Sequence, residues 1–257
     1  MKRVLTALVL IPVILYAIFW GPPIVFAGVT TLIACFCFYE FAGLAGAHGV
    51  RVFTPIGLVA GALAVNLPQV DLALLAIPTL ATLALALRSA QLASVLPQAG
   101  ALALGLLYCF VPWRCAVALH AISPHWLMLA LAINWIGDAA AFYAGSRWGR
   151  NKLAPRVSPG KSWEGAIASV VVSAAFGVAY AHWFAPDRGW VELTLLSVAA
   201  NVAGQIGDLC ESAMKRGGGV KDSGTLLPGH GGWLDRVDSS LFSLPVVYIW
   251  LSRQIIL

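Results

Sequence analysis

Two apolar stretches near the N-terminus decide the class of fold. Residues 4–20 read VLTALVLIPVILYAIFW, and residues 24–46, after a short Gly-Pro-Pro turn, read IVFAGVTTLIACFCFYEFAGLAG. A helix that crosses a bilayer needs roughly 20 mostly apolar residues, so both stretches can span one. Lys2 and Arg3 give the first stretch the look of a signal peptide, but its length and the second apolar segment directly after it favour an uncleaved span.

The composition of the whole chain agrees with a membrane protein. Of the 257 residues, 60% are apolar and 11% are charged, the mean hydropathy is +0.85 and the net charge is +5. Soluble domains carry about 25% charged residues, so an ordinary soluble globule, a disordered chain and a nucleic-acid-binding module are excluded. The five cysteines show no zinc-ligand spacing and are interpreted as small apolar packing residues.

Apolar segments recur along the chain and predict an all-α, polytopic integral membrane protein with about nine transmembrane helices. The predicted spans are 4–20, 24–46, 52–67, 72–87, 99–120, 126–146, 165–184, 191–211 and 239–257. We divide them into an N-terminal multi-span region, 1–125, and a C-terminal membrane region, 126–257, which carries both charged segments described below. Of the nine, the third and fourth are short.

The basic residues orient these spans. If Lys2 and Arg3 lie in the cytoplasm, the connections on the outer side contain one basic residue, Arg188, and nearly all the others face inward. Five of the inward ones crowd into residues 147–161, where they could simply anchor the topology at lipid headgroups. This orientation predicts a site that faces the cytoplasm, at the inner membrane if the source is bacterial.

Charge is concentrated in two windows, 138–164 and 208–238, which hold 16 of the 27 charged residues. An ionisable residue within a span costs about 2.5–3.5 kcal/mol on insertion scales, so Asp138 and Asp208 are candidate functional residues. Asp208 shares one predicted helix face with Glu211, Ser212 and Lys215. Glu40 stands alone in the second span, and a structural role and a functional role are equally favoured for it.

The second window continues as a polar segment that is too rich in glycine for one long helix. Residues 212–238 read SAMKRGGGVKDSGTLLPGHGGWLDRVD, and the glycines let backbone N–H groups approach a ligand. Its cations suit phosphate oxygens and its carboxylates suit Mg²⁺. The cations are Lys215, Arg216, Lys221 and Arg236, and the carboxylates, with the preceding Asp208, are Asp222, Asp235 and Asp238. A loop whose ion pairs satisfy one another at the membrane surface remains the alternative.

The first window contains SPGKSWEG at residues 158–165. Gly160-Lys161-Ser162 invites comparison with a phosphate-binding P-loop, but Pro155 occupies the position where that motif needs its first glycine. The segment instead predicts a Ser-Pro turn with Lys161 and Glu164 at the start of a helix.

These residues carry a resemblance to a known family. Segment 212–238 resembles the signature of the phosphatidate cytidylyltransferases, or CDP-diacylglycerol synthases, at nearly every fixed position. Residues 158–165 resemble the second motif of that family, with Ser162 where threonine is common. Asp138, Gly145 and Gly207-Asp208 also fall where the family places them. The first 130 residues match only as an apolar multi-span region, and Trp233 replaces the usual aliphatic residue or phenylalanine.

The resemblance implies a reaction between CTP and phosphatidic acid that gives CDP-diacylglycerol and pyrophosphate with Mg²⁺, a second metal being left open. The implied partners are the two substrates and the lipid bilayer, without nucleic acid and with a homodimer left open. The implied metal ligands are Asp208, Asp235 and Asp238. The implied catalytic residues are Lys161, Lys215, Arg216, Lys221, Asp222 and Arg236. The implied substrate-binding residues are Asp138, Ser158, Ser162, Glu164, Ser212, His230, Gly231 and Gly232.

The chemistry of such a reaction is compatible with these residue types. A phosphate monoester has a second pKa near 6, so the attacking oxygen needs no strong general base at pH 7. Catalysis then rests on positioning and on neutralising two anions. A CDP-alcohol phosphotransferase is disfavoured because its spaced aspartate pattern is missing. A secondary transporter would spread polar residues over several spans, and a non-catalytic lipid-binding scaffold would not need four aspartates beside four cations.

Overall fold

The computed structural model describes residues 2–67, 73–87, 91–229 and 231–255, and these are mostly helical. The helices are α1 (Lys2–Phe19), α2 (Pro23–Ala47), α3 (Thr54–Asn66), α4 (Ala73–Ala86), α5 (Val95–Cys109), α6 (Val111–Ile122), α7 (Pro124–Trp148), α8 (Trp163–Phe184), α9 (Trp190–Gly217) and α10 (Leu234–Ile255). A short 3₁₀ turn, Leu92–Ser94, precedes α5. His230, a predicted site residue, lies outside the described residues.

Within the described residues, five segments are long and apolar enough to cross a membrane. They are Pro23–Ala47, Leu92–Ile122, Pro124–Trp148, Trp163–Phe184 and Trp190–Gly217. They coincide with the second, fifth, sixth, seventh and eighth predicted spans, and the polytopic character of the chain is thereby supported. The third predicted span and most of the fourth correspond to shorter apolar helices, and these two spans, with the first and ninth, stay predictions.

The fifth predicted span is broken near its middle. Helix α5 ends at Cys109 and α6 begins at Val111. Pro112 has no backbone N–H to donate within a helix, and this explains why a single continuous helix does not form there.

An all-helical prediction misses one small element. Between α7 and α8 the chain forms an antiparallel hairpin of β1 (Lys152–Ala154) and β2 (Ser158–Ser162), in which Lys152 pairs with Ser162 and Ala154 with Ser158. Helix α8 begins directly after β2, and the Ser162 hydroxyl caps it by accepting a hydrogen bond from Gly165 N at 3.2 Å. The predicted helix start is present at Trp163, but residues 158–162 form a strand in place of the predicted Ser-Pro turn, and Lys161 lies in that strand.

The chain divides into two compact units, one of Met1–Val117 with Met214–Val237 and one of Ala118–Ala213 with Asp238–Leu257. The core of the first unit is aromatic. Phe38 lies between Phe41 and Phe110, with ring centroids 6.4 Å and 5.3 Å away. Glycines on α3 and α5 make room for these rings, since a Cβ at Gly61 would overlap the Phe110 ring. Small residues permit this close approach of apolar helices in a membrane.

The core of the second unit contains a buried polar layer. Asn201 of α9 donates to Ser169 Oγ at 3.1 Å and to Ser173 Oγ at 3.0 Å on α8, and Ser173 donates to the Ile133 carbonyl of α7 at 2.8 Å. Hydrogen bonds between helices hold such bundles together where apolar surface gives little driving force. Gly137 is needed beside them, because a Cβ there would lie 2.6 Å from Ser169 Oγ.

We expect Gly137→Ala to destabilise the second unit by about 1–3 kcal/mol, as overpacking of a close-packed core does. Gly100→Ala is the matched control, because Gly100 is also helical but has no neighbouring atom within 4 Å of an added Cβ. Thermal unfolding in detergent measures both variants. Equal midpoints for the two variants would show that the polar layer tolerates the extra methyl group.

Candidate active site

A pocket in the second unit gathers the residues of the first charged window. Its volume is about 490 Å³, within the range of roughly 300–1,000 Å³ that ligand sites occupy. The end of α7, the hairpin, the start of α8 and the middle of α9 form its walls. The lining residues used below are Asp138, Ser158, Lys161, Ser162, Gln205 and Asp208.

The centre of this pocket is an ion pair between two predicted site residues. Lys161 Nζ lies 2.5 Å from Asp208 Oδ2, and both side chains are 27% exposed. Lys161 comes from β2 and Asp208 from α9, so the missed hairpin is what brings the lysine to the carboxylate. Ser212 Oγ donates to the other oxygen of Asp208 at 3.3 Å. Both charged groups remain reachable by a polar ligand.

Asp138 adds a second carboxylate to the same pocket. Its charge interacts with those of Asp208 and Lys161, so two acidic groups and one basic group share the space. Like charges held close together favour binding of a cation. The hydroxyls of Ser158 and Ser162 and the Gln205 amide surround these groups and can accept or donate hydrogen bonds.

Glu164 supports the hairpin from outside the pocket lining. Its Oε1 accepts hydrogen bonds from Asn151 N at 3.1 Å and from Asn151 Nδ2 at 2.8 Å. These bonds tie the first turn of α8 to the residue that precedes β1. Glu164 therefore holds the hairpin at the residue before β1, and its predicted contact with substrate stays a prediction.

The first unit contains a second ion pair, which joins the end of α9 to the start of α10 across the loop of residues 218–233. Lys215 Nζ lies 2.5 Å from Asp235 Oδ1, with side chains 12% and 4% exposed. Asp235 Oδ2 accepts from Ser223 N at 2.9 Å, Ser223 Oγ at 3.0 Å and Gly232 N at 2.8 Å. Burial disfavours the ionised form of Asp235, but the hydrogen bonds from Lys215, Gly232 and Ser223 lower its pKa below the ordinary value.

The conformation of the 218–233 loop requires glycine at its tight turn. Gly229 and Gly231 adopt φ angles of 79° and 81°, a region that L-residues with side chains rarely occupy. Leu227 N donates to the Gly231 carbonyl at 3.0 Å and closes this turn. A Cβ at Gly231 would also lie 2.9 Å from Asp235 Oδ2. The glycine thus leaves room for the ion-paired carboxylate.

The remaining predicted site residues take no part in the Lys161–Asp208 or the Lys215–Asp235 ion pair. Lys221, Asp222 and Arg236 are exposed, and Arg216 Nη1 donates to the Val220 carbonyl at 3.4 Å. Asp238 Oδ1 accepts from the backbone N–H of Ser239 at 2.7 Å. Asp208 and Asp238 belong to one unit and Asp235 to the other, so the expectation that Asp208 and Asp235 share an ion stays a prediction.

The side chains of the two ion-pair sites differ in how well they suit Mg²⁺. Within the part of the chain that the structure describes, no three His, Cys, Asp or Glu side chains form a cluster that could hold a metal. Mg²⁺ commonly takes only one or two carboxylates and completes its shell with substrate phosphates and water. Asp208 and Asp138 fit that role. Asp235 is saturated by protein donors in this arrangement.

One residue outside both charged windows belongs with the 218–233 loop. Glu40 on α2 is 3% exposed, and its carboxylate accepts hydrogen bonds from Trp233 N at 3.1 Å and Leu234 N at 2.9 Å. The sequence signal was the isolated acidic residue within an apolar span. Its partners, almost 200 residues further along the chain, carry no pattern that would identify them.

Comparison with known proteins identifies the family. The cytidylyltransferase family matches residues 1–253. The chain is 37% identical over 262 residues to a phosphatidate cytidylyltransferase of Pseudomonas aeruginosa, covering 95% of this chain and 94% of that one. It is 42% identical to the enzyme of that name from Haemophilus influenzae and 43% identical to that from Brucella suis, over 46% and 48% of this chain.

The alignments with the last two relatives cover only 43% and 46% of their lengths, so they compare about half of each protein. The match over residues 1–253 and the alignment with the Pseudomonas protein, in contrast, cover almost the whole chain. The predicted resemblance to this family is confirmed, and the chain belongs to the cytidylyltransferase family.

Proposed function

We propose that this chain is a membrane-embedded nucleotidyltransferase that condenses CTP with phosphatidic acid. The products are CDP-diacylglycerol and pyrophosphate. Family membership supports this activity, and the observation that carries it is the Lys161–Asp208 ion pair in a pocket that also holds Asp138. A pocket that combines acidic and basic groups suits a phosphate substrate accompanied by a divalent cation.

The proposed reaction is a substitution at phosphorus. An oxygen of the lipid phosphate forms a bond to the α-phosphorus of CTP, while the bond from that phosphorus to the bridging α,β-oxygen breaks and pyrophosphate leaves. The attacking phosphate is largely dianionic at pH 7, so no side chain has to remove a proton. The chain must hold two anions together and exclude competing orientations.

The pocket of the second unit would bind one phosphate group through Lys161. In the proposed complex its ammonium turns from the Asp208 carboxylate to a phosphate oxygen, and Ser158 and Ser162 add hydroxyl donors. Asp208, released from the lysine, would hold Mg²⁺ together with Asp138. When bound, Mg²⁺ would neutralise the triphosphate and the leaving pyrophosphate.

The 218–233 loop and the residues beside it would bind the triphosphate and the departing pyrophosphate. Lys215 is held by Asp235 at 2.5 Å, which fixes the direction of its side chain. Lys221 and Arg236 are exposed and can close on an anion that arrives from water. Lys and Arg side chains make strong charge-assisted hydrogen bonds to phosphate oxygens. Asp235 and Asp238 remain predicted metal ligands.

The setting is proposed to be the cytoplasmic side of the membrane. CTP is water-soluble and phosphatidic acid carries acyl chains, so the phosphate groups must meet at an interface. The basic residues of segments 147–161 and 215–236 favour the inner side. In a bacterium this would be the inner membrane.

We expect Asp208→Asn to lower kcat about 100-fold or more, since removing a group that stabilises transition-state charge commonly costs that much. Release of pyrophosphate from CTP and phosphatidate by the purified enzyme in detergent measures it. Lys152→Ala is the matched control, because Lys152 is exposed on the neighbouring strand and does not line the pocket. A wild-type rate in Asp208→Asn would remove this carboxylate from the site.

Lys215→Ala should raise the KM for CTP about tenfold, equivalent to about 1.4 kcal/mol of lost binding energy. The KM for phosphatidate should change less, because the proposed contact is with the triphosphate. Arg51→Ala serves as the control, since Arg51 is an exposed cation of the same unit outside the charged windows. An unchanged KM for CTP would refute the proposed contact.

Chelation by EDTA should abolish turnover, and added Mg²⁺ should restore it. Asp138→Asn should increase the Mg²⁺ concentration needed for half-maximal rate, because one of two carboxylates that share the ion becomes neutral. A titration of the initial rate with Mg²⁺ at saturating substrate measures this. Full activity in EDTA would exclude the divalent cation from the reaction.

A further inference from the structure

Glu40 connects the N-terminal region to the loop that carries the family signature. It lies on α2, is 3% exposed and accepts three hydrogen bonds, all from residues of the first unit. The donors are Ser223 Oγ at 3.1 Å, Trp233 N at 3.1 Å and Leu234 N at 2.9 Å. A buried carboxylate is costly unless it is hydrogen-bonded, and each of these donors offsets part of that cost.

Two of the donors lie at the N-terminus of α10. The first N–H groups of a helix have no partner within the helix, and a negative charge is favourable beside them. Trp233 and Leu234 are the residues where α10 begins, so Glu40 caps this helix from another part of the chain. Asp235, one residue further, is thereby held at a fixed place in the first turn.

The third donor, the hydroxyl of Ser223, links Glu40 to Asp235. Ser223 Oγ lies 3.1 Å from Glu40 Oε2 and 3.0 Å from Asp235 Oδ2, so the two carboxylates share its single hydroxyl proton. Asp235 in turn pairs with Lys215. A continuous polar connection therefore runs from α2 through the serine to the ion pair proposed to face the triphosphate.

The packing of the loop around Glu40 is also specific. A Cβ at Gly224 would lie 2.5 Å from Glu40 Oε1, and one at Gly232 would overlap Glu40 Oε2 and Ser223 Oγ. Trp233 stacks on Phe36 of α2 with ring centroids 5.7 Å apart. The middle and the C-terminal end of the loop are therefore fitted closely to the face of α2 that carries Phe36 and Glu40.

We propose that Glu40 is a positioning residue, which holds the 218–233 loop so that Lys215 and Asp235 are in place for the transfer reaction. The inference rests on the proposed function and adds to it a role for the N-terminal region. Glu40 does not touch substrate in this proposal. It acts through Ser223 and through the start of α10.

Glu40→Gln tests the proposal with little change of shape. The amide keeps one acceptor oxygen but presents an NH₂ group to N–H donors, so part of the network is lost. We expect kcat to fall about tenfold or more, with the KM for phosphatidate changed less than twofold. Trypsin should cleave after Lys221 at least several times faster in the folded variant, as measured by mass spectrometry in detergent.

Thr30→Ala is the matched control, because Thr30 is a buried polar residue of α2 outside the contacts of Glu40. It should match the wild type in kcat and in cleavage after Lys221. Glu40→Asp keeps the charge with a shorter reach and should recover part of the lost kcat. If Glu40→Gln does not fold, Ser223→Ala removes only the linking hydroxyl and is judged by the same two measurements.

The proposal is overturned if Glu40→Gln keeps wild-type kcat, whatever happens to cleavage, or if kcat falls while cleavage is unchanged. A slow variant with faster cleavage, beside an unaffected Thr30→Ala, supports it. A wild-type protein that releases no pyrophosphate from CTP would instead refute the proposed function. Faster cleavage of Glu40→Gln would still show that the residue holds the loop.

Discussion

The neutralisation of charge within an apolar chain is the constraint on which the rest of the site depends. A carboxylate that is removed from water needs a counter-charge or several hydrogen-bond donors. Asp208 has Lys161, Asp235 has Lys215 and two backbone N–H groups, and Glu40 has two backbone N–H groups. Asp235 and Glu40 also share the hydroxyl proton of Ser223. In each case the partner comes from another segment of the chain, so these contacts also determine how the loops pack against the helices.

The two ion pairs differ in exposure, and this difference has a functional meaning. Lys161 and Asp208 are each 27% exposed, whereas Asp235 is 4% exposed and has four donors around it. The partly exposed Lys161–Asp208 pair can be separated by an incoming phosphate and cation at modest cost, because water already screens part of the attraction between the two charges. The buried Lys215–Asp235 pair is better suited to holding the lysine side chain in one orientation.

The sequence predicts the family and most of the pocket residues, because these residues lie in recognisable motifs or are charged residues within apolar spans. Asp208 was identified by its depth in an apolar helix and Lys161 by its motif. The β1–β2 hairpin was missed, since strands of three and five residues in a charged loop have no apolar alternation to detect. The sequence also does not predict the partners of Glu40. Two of them are backbone N–H groups, which every residue except proline has, so no side-chain pattern identifies them.

The glycines of the loop show how one sequence feature can have two physical causes. The sequence suggested that they let the backbone approach a ligand. Gly224 and Gly232 instead lie against the Glu40 carboxylate, where any Cβ would displace it. Gly229 and Gly231 are required by their positive φ angles. Since these four glycines are explained by the protein itself, the phosphate recognition proposed for this loop would fall mainly to its cations, and its precision would depend on how firmly α2 holds the loop.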